Sequence, residues 1–278
     1  MRLGISNIAW DVTEDAEVAA LLERLGVDAV DIAPGKYFPV PSEATSQQIE
    51  KVKGWWASRG IELTGMQALL FGTTGLNVFG SPDSQSALLK HLTAICRIGS
   101  GLGATRIVFG SPKNRDRTGL SDEQALETAS RFFRQVGQAA SEYGVIVCLE
   151  PNPPCYQANF MTDAADTASV VRLVDNPAIR MQFDTGALAI NGEDPELVLK
   201  QHGDLIGHVH ASEPNLVTVG EGGTEHATMA RALRAYTPES IVTVEMVASQ
   251  NEPHLASIER ALNHAMEHYG PEQGGASQ

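Results

Sequence analysis

The 278-residue chain is short of cysteine, of aromatic residues and of positive charge. Its three cysteines, Cys96, Cys148 and Cys155, are odd in number and form no C-x-x-C pair. Neither a disulfide framework nor a thiolate zinc knuckle is indicated. Idle thiols in a reducing compartment are the expectation, and with them a cytoplasmic location. Lysine and arginine number 20 against 34 acidic residues, a formal net charge of −14. A field of that sign repels phosphate backbones, whose binding rests on Lys and Arg, so no nucleic-acid partner is expected. No run approaches the roughly 18 consecutive apolar residues of a membrane span. The opening MRLGISNIAWDVTED lacks the apolar core of a secretion signal, and no membrane partner is expected. A glycine-rich phosphate loop is also missing after the first strand. The fragment Gly99-Ser100-Gly101-Leu102-Gly103 closes a helix and precedes a strand, the reverse of the dinucleotide-binding order.

What the chain does contain is a rhythm. Short runs rich in Val, Ile and Leu fall at Leu3–Ala9, Val27–Ile32, Ile61–Gln67, Thr105–Phe109, Val145–Glu150, Ile179–Phe183, Leu205–His210 and Ile241–Met246. They read as strands buried on both faces of a parallel sheet. Between them, apolar residues at i, i+3 and i+4 predict helices over Glu14–Leu25, Ser46–Arg59, Gln85–Leu102, Asp122–Tyr143, Asp163–Val174, Pro195–Lys200, Ala227–Ala235 and Pro253–Tyr269. Thr13, Ser121 and Thr162 stand where N-caps belong, and Gly26, Gly60, Gly103 and Gly144 stand between a helix and the next strand. Eight such units without an obvious linker predict an α/β fold, a single (β/α)8 TIM barrel over residues 1–270. The polar, glycine-rich tail 271–278 is expected to be disordered.

In a barrel, chemistry sits at the C-terminal ends of the strands. There the chain places Glu150 (VIVCLEPN), Asp184 (MQFDTG), His210 (IGHVHAS) and Glu245 (IVTVEMV), on four consecutive strands. Each alone could be a rim or core residue. Together they cannot all be core, because burying three carboxylates without a cation is very costly. A shared metal site removes that cost. Its oxygen-rich, thiolate-free donor set suits Mn²⁺ best, with Mg²⁺ or Co²⁺ as alternatives, rather than a structural zinc.

The order Glu150, Asp184, His210, Glu245, with intervals of 34, 26 and 35 residues, resembles the xylose-isomerase-like barrel superfamily. The phrases LEPNP, QFDTG, GHVHASEPN, VGEGGTEH, VTVEM and FGSPKNR are similar to those of its sugar isomerase/epimerase branch, which includes ketose 3-epimerases and inosose isomerases. The resemblance runs from Met1 to about Tyr269. It implies that Glu150 and Glu245 double as acid and base. A metal acting as Lewis acid acidifies the C–H beside a carbonyl, one glutamate takes that proton to give a cis-enediolate, and the other returns one. Epimerisation, aldose–ketose isomerisation and β-elimination all share this intermediate. The substrate implied is a small carbohydrate or cyclitol, and a homo-oligomer is an expectation drawn from relatives.

Two departures stand out. Ketose 3-epimerases carry a His three residues after the metal Asp and an Arg six after the metal His; here these places are Ala187 and Leu216. A less polar or differently shaped substrate follows. Candidate substrate-binding residues are Gln67, Arg115, Asn152, Glu213 and Trp10, the last serving either as a pocket wall or as core packing. His208 shares a face with His210 at period two and reads as a packed, hydrogen-bonded residue. His226 could cap a helix or line the mouth. The leading expectation is therefore a metal-dependent isomerase/epimerase. The main alternative is a lyase on the same scaffold, an inosose-type dehydratase or a 3-keto-glycoside or C-glycoside deglycosidase. Remoter ones are an endonuclease-IV-like repair enzyme, disfavoured by only eight histidines and by the charge, and a non-catalytic binding barrel.

Overall fold

The computed structural model of the chain describes residues 1–270; the tail 271–278, with its expected disorder, lies outside them. Eight strands, β1 (Arg2–Ser6), β2 (Ala29–Ile32), β3 (Glu62–Met66), β4 (Arg106–Phe109), β5 (Ile146–Leu149), β6 (Ile179–Asp184), β7 (Ile206–Ser212) and β8 (Ile241–Glu245), pair in sequence order. All pairs are parallel, and β1 closes on β8 through Arg2 with Ile241 to Ile5 with Val244. The fold is a single (β/α)8 TIM barrel.

Nine α-helices surround it among the described residues: α1 (Asp15–Leu25), α2 (Ser46–Ala57), α3 (Pro82–Leu102), α4 (Asp122–Glu142), α5 (Ala164–Val174), α6 (Thr185–Asn191), α7 (Pro195–His202), α8 (His226–Tyr236) and α9 (His254–Tyr269). Helix α6 is not expected from the sequence. It has seven residues, too few to show a 3.6-residue period, and it starts where Asp184 Oδ1 accepts the Ala187 amide at 2.7 Å. Two caps also differ from the sequence reading. Thr13 lies inside a 3-10 turn over Val12–Glu14, which precedes α1. Asp163 rather than Thr162 caps α5, accepting the Asp166 amide at 2.8 Å. Ser121 caps α4: its hydroxyl accepts the Gln124 amide, and its own amide donates back to Gln124 Oε1. Gly26 and Gly103 take left-handed conformations at the ends of α1 and α3.

The main apolar core lies between strands and helices, where Phe109 of β4 meets Phe133 of α4 edge-to-face at 5.4 Å and Phe132 extends the stack at 5.5 Å. Inside the barrel, where branched aliphatics usually dominate, a polar knot sits instead. Asp31 of β2 is fully buried and accepts from Thr64 (2.7 Å), Thr243 (2.9 Å) and the His208 ring (2.5 Å). Among the described residues no helix is long and apolar enough to cross a membrane.

Truncating Phe133 removes ring contacts on both sides of the β4–α4 interface. Phe133→Ala should lower unfolding free energy by about 3–5 kcal/mol, read as a fall in the urea midpoint. Phe71→Ala, at a side chain 90% exposed, should move it by less than about 0.5 kcal/mol.

A candidate metal centre at the barrel mouth

The four strand-end residues converge. Ligand atoms of Glu150, Asp184, His210 and Glu245 all lie within 4.8 Å of one another. His210 is fully buried, with Nδ1 at 3.0 Å from Glu245 Oε2 and 3.7 Å from Glu150 Oε1. Its Nε2 has no hydrogen-bond partner and stands 3.9 Å from Asp31 Oδ2. The knot inside the barrel therefore underlies the ring, with His208 two residues earlier on the same face. Asp31 carries charge there. Burial opposes its ionisation, but His208, His210 and the Thr64 hydroxyl outweigh that and pull it below the ordinary carboxylate value.

Each carboxylate is held by its neighbours. Asp184 caps α6 with Oδ1, and its Oδ2 accepts the Ser212 hydroxyl at 2.8 Å. Glu150 Oε2 accepts from Asn152 Nδ2 at 3.1 Å, and Asn152 in turn accepts from Arg115 Nη2. Glu150 also depends on Gly110, where a Cβ would fall 1.8 Å from Oε2, so no other residue fits there with the carboxylate in place. Burial, aided by the charges on Glu150 and Glu245, pushes Asp184 up to about 7. Burial alone would lower the His210 imidazolium, but Glu245 and Glu150 outweigh it and hold the ring well above its ordinary value. Four donors that crowd in this way, with Asp184 and His210 both retaining protons near neutrality, fit a divalent cation. The ion would supply the charge the three carboxylates lack.

Above the cluster opens a cavity of about 580 Å³, lined by Glu150, Asp184 and Glu245 at its floor and by Leu69, Leu70, Phe71, Val108, Tyr156 and Leu216 on its walls. Of the remaining sequence candidates, Gln67, Asn152 and Glu213 line it. Gln67 donates to Ser6 Oγ and leaves Oε1 unpartnered. The Glu213 carboxylate is occupied by the Gly220 and Thr224 amides, both at 2.8 Å, and by His226 at 3.2 Å. Burial raises its pKa, but these bonds win and hold it at about 2. Arg115 lies behind the wall, fully buried, with Nε and Nη1 unpartnered. Burial lowers its pKa to about 10, against the pull of Glu150. Trp10 is not brought to the cavity. It is core, donating to Asp15 at 2.8 Å and packing edge-on against Trp56 at 6.5 Å. Ala187 and Leu216 do line the cavity. Three lining residues, Ala68 (φ 53°), Asn215 (φ 61°) and Leu216 (φ 53°), hold left-handed backbone. Asp31 and Ser212 join the site through neighbours on other strands. The signal for Asp31 is an acidic residue inside the apolar run Ala29-Val30-Asp31-Ile32; Ser212 gives none.

Residues 19–268 match the family model described as xylose isomerase-like TIM barrel. The chain belongs to that family. An inosose dehydratase of Lacticaseibacillus casei is 22% identical over 158 residues, 52% of this chain and 49% of that protein, so the chain spans about half the length of this curated relative. The crystal structure of the D-psicose 3-epimerase of Clostridium cellulolyticum H10 with D-tagatose superimposes at a TM-score of 0.81, with 20% identity over 98% of this chain and 100% of that one. A structure of IOLI protein with a bound zinc atom gives 0.75, with 17% identity over 97% and 98%. At these identities the structural matches show the shared barrel.

The crowded carboxylates have a measurable signature. With Asp184 near 7 when folded and at its ordinary 3.8 when unfolded, the native protein binds more protons between those values. Stability of the metal-free protein should therefore fall as pH rises from about 5 to about 7, and His210 adds to the fall above its ordinary 6.5. Saturating Mn²⁺ should flatten that slope in thermal melts. An unchanged slope would count against cation binding by these residues.

Proposed function

We propose that the chain is a divalent-metal-dependent sugar or cyclitol isomerase/epimerase. The carrying observation is that Glu150 and Glu245 approach the same His210 nitrogen, at 3.7 and 3.0 Å, on the floor of one cavity. Glu150, Asp184, His210 and Glu245 are the residues to hold the ion, Mn²⁺ first and Mg²⁺ or Co²⁺ next, and when bound it supplies Lewis-acid polarisation of a substrate carbonyl. The chain's own groups supply proton transfer. One glutamate carboxylate takes the proton from the carbon beside the carbonyl, leaving a cis-enediolate, and the other delivers a proton. Return to the same carbon from the opposite side inverts it; delivery to the neighbouring carbon exchanges aldose and ketose. The Asn152 amide fixes Glu150 while it works, and Gln67 lines the cavity as a candidate substrate-binding residue. The name of the Clostridium relative supports this reading.

A second reading, elimination on the same scaffold, is favoured by the walls. Leu216 and Ala187 stand where a polar substrate clamp is expected, and Leu69, Leu70 and Phe71 extend the apolar surface. At about 580 Å³ the cavity falls in the ~300–1,000 Å³ range of drug-sized ligands, with room for a substituent beyond the ring. The Lacticaseibacillus relative, an inosose dehydratase, points the same way.

The Mn²⁺-loaded protein should be incubated in D₂O with ketoses, inososes and 3-keto glycosides. Deuterium uptake beside the carbonyl with no loss of water or aglycone is expected, while loss of either would transfer the assignment to elimination. Glu150→Gln and Glu245→Gln should each lower kcat by at least ~10²–10⁴, with metal content measured on each variant. Ligand binding without exchange on any of the three classes would overturn catalysis altogether.

A further inference from the structure

Far along the chain from the barrel mouth, α9 carries His264-Ala265-Met266-Glu267-His268, the pattern H-x-x-E-H. Residues i, i+3 and i+4 share a helix face, so two imidazoles and a carboxylate emerge together. Their ligand atoms all lie within 4.8 Å of one another, and the two rings are 4.7 Å apart. Both histidines are half-buried and Glu267 is exposed, which leaves solvent access for an ion and its waters. None of the three side chains has a hydrogen-bond or ion-pair partner among the described residues.

The neighbouring groups differ in this respect. His226 stacks beside them, 5.4 Å from His264 and 6.4 Å from His268, but its Nδ1 bonds the Tyr269 hydroxyl at 2.6 Å and its Nε2 bonds Glu213. In the group Asp11, Glu14 and His254, Glu14 already accepts from His254 at 2.6 Å and from the Asp11 amide at 2.9 Å. In the group Asp31, His208 and His210, the carboxylate is taken by two threonines and His208.

We propose that His264, Glu267 and His268 form a second metal site, for a borderline transition ion such as Zn²⁺, and that its occupation fastens the loop between β7 and α8. Two imidazoles and one carboxylate favour Zn²⁺ over the harder Mn²⁺ or Mg²⁺, so the two sites sort metals by donor type. The link to the loop is steric. Gly220 has φ +95°, and a Cβ there would lie 2.8 Å from the His264 ring, which therefore rests on the α-carbon. The Gly220 amide donates to Glu213, three residues past His210 and on the cavity wall. An ion that locks the His264 ring holds Gly220, and through it the Glu213 knot.

The test is zinc stoichiometry by equilibrium dialysis and elemental analysis, with hydrogen exchange as second readout. In excess Zn²⁺, His264→Gln/His268→Gln should hold one equivalent per chain fewer than the unaltered protein. Zn²⁺ should slow exchange of the Gly220 and Thr224 amides in the unaltered protein alone. Glu267→Gln, at an exposed position that leaves the helix intact, should weaken the affected equivalent by about tenfold or more. Equal zinc counts in the unaltered and double-variant proteins would overturn the site, as would loss of the equivalent in His254→Gln instead. Zinc binding with unchanged exchange at Gly220 would overturn the link to the loop.

Discussion

Three carboxylates that must share one small volume at the barrel mouth govern this molecule. Strand ends of a closed parallel barrel meet at its mouth, and here β5, β6, β7 and β8 bring Glu150, Asp184, His210 and Glu245 to within 4.8 Å. Like charges at that separation cannot all stay ionised without an opposing charge, and Asp184, pushed up to about 7, takes the strain. Much of the local structure restrains that repulsion. Ser212 and the start of α6 divide the two oxygens of Asp184, Asn152 and the bare α-carbon of Gly110 fix Glu150, and Arg115 stands behind as a buried positive charge. These contacts fix the orientation of each carboxylate in the cluster.

Beneath the mouth, a second acid is handled in the opposite way. Asp31 is as buried as any ligand, yet three donors satisfy it and keep it ionised. Its charge faces the far side of the His210 ring. The barrel interior thus alternates a negative plug, an imidazole and a negative mouth. The imidazole is held between charges rather than by packing alone.

The strands, and the convergence of the four candidate residues at their ends, are legible because both follow from strong periodic signals. Continuous Val, Ile and Leu runs mark strands covered on both faces, and an acidic or histidine residue ending such a run is conspicuous in LEPN, FDTG and HVHAS. Helix α6 was not legible, since seven residues cannot display a helical period and its start is set by a tertiary ligand, Asp184. Trp10 was ambiguous because an indole suits a pocket wall or a core equally well, and only the Asp15 bond and the Trp56 contact decide it. Glu213 lies on a mouth loop, but its partners at Gly220, Thr224 and His226 are 7 to 13 residues away, beyond any local pattern. Ser212 and Asp31 act through neighbours on other strands, which sequence spacing alone does not reveal.

The rim ties backbone conformation to pocket shape. Ala68 and Leu216 hold left-handed backbone with a side chain attached, a conformation that costs roughly 1–2 kcal/mol per residue relative to glycine's freedom. Both line the cavity, so the methyl and isobutyl groups that shape it sit on backbone that glycine would adopt more freely. Glycine at either position would relax the backbone and enlarge the pocket, so backbone strain and pocket shape are coupled there.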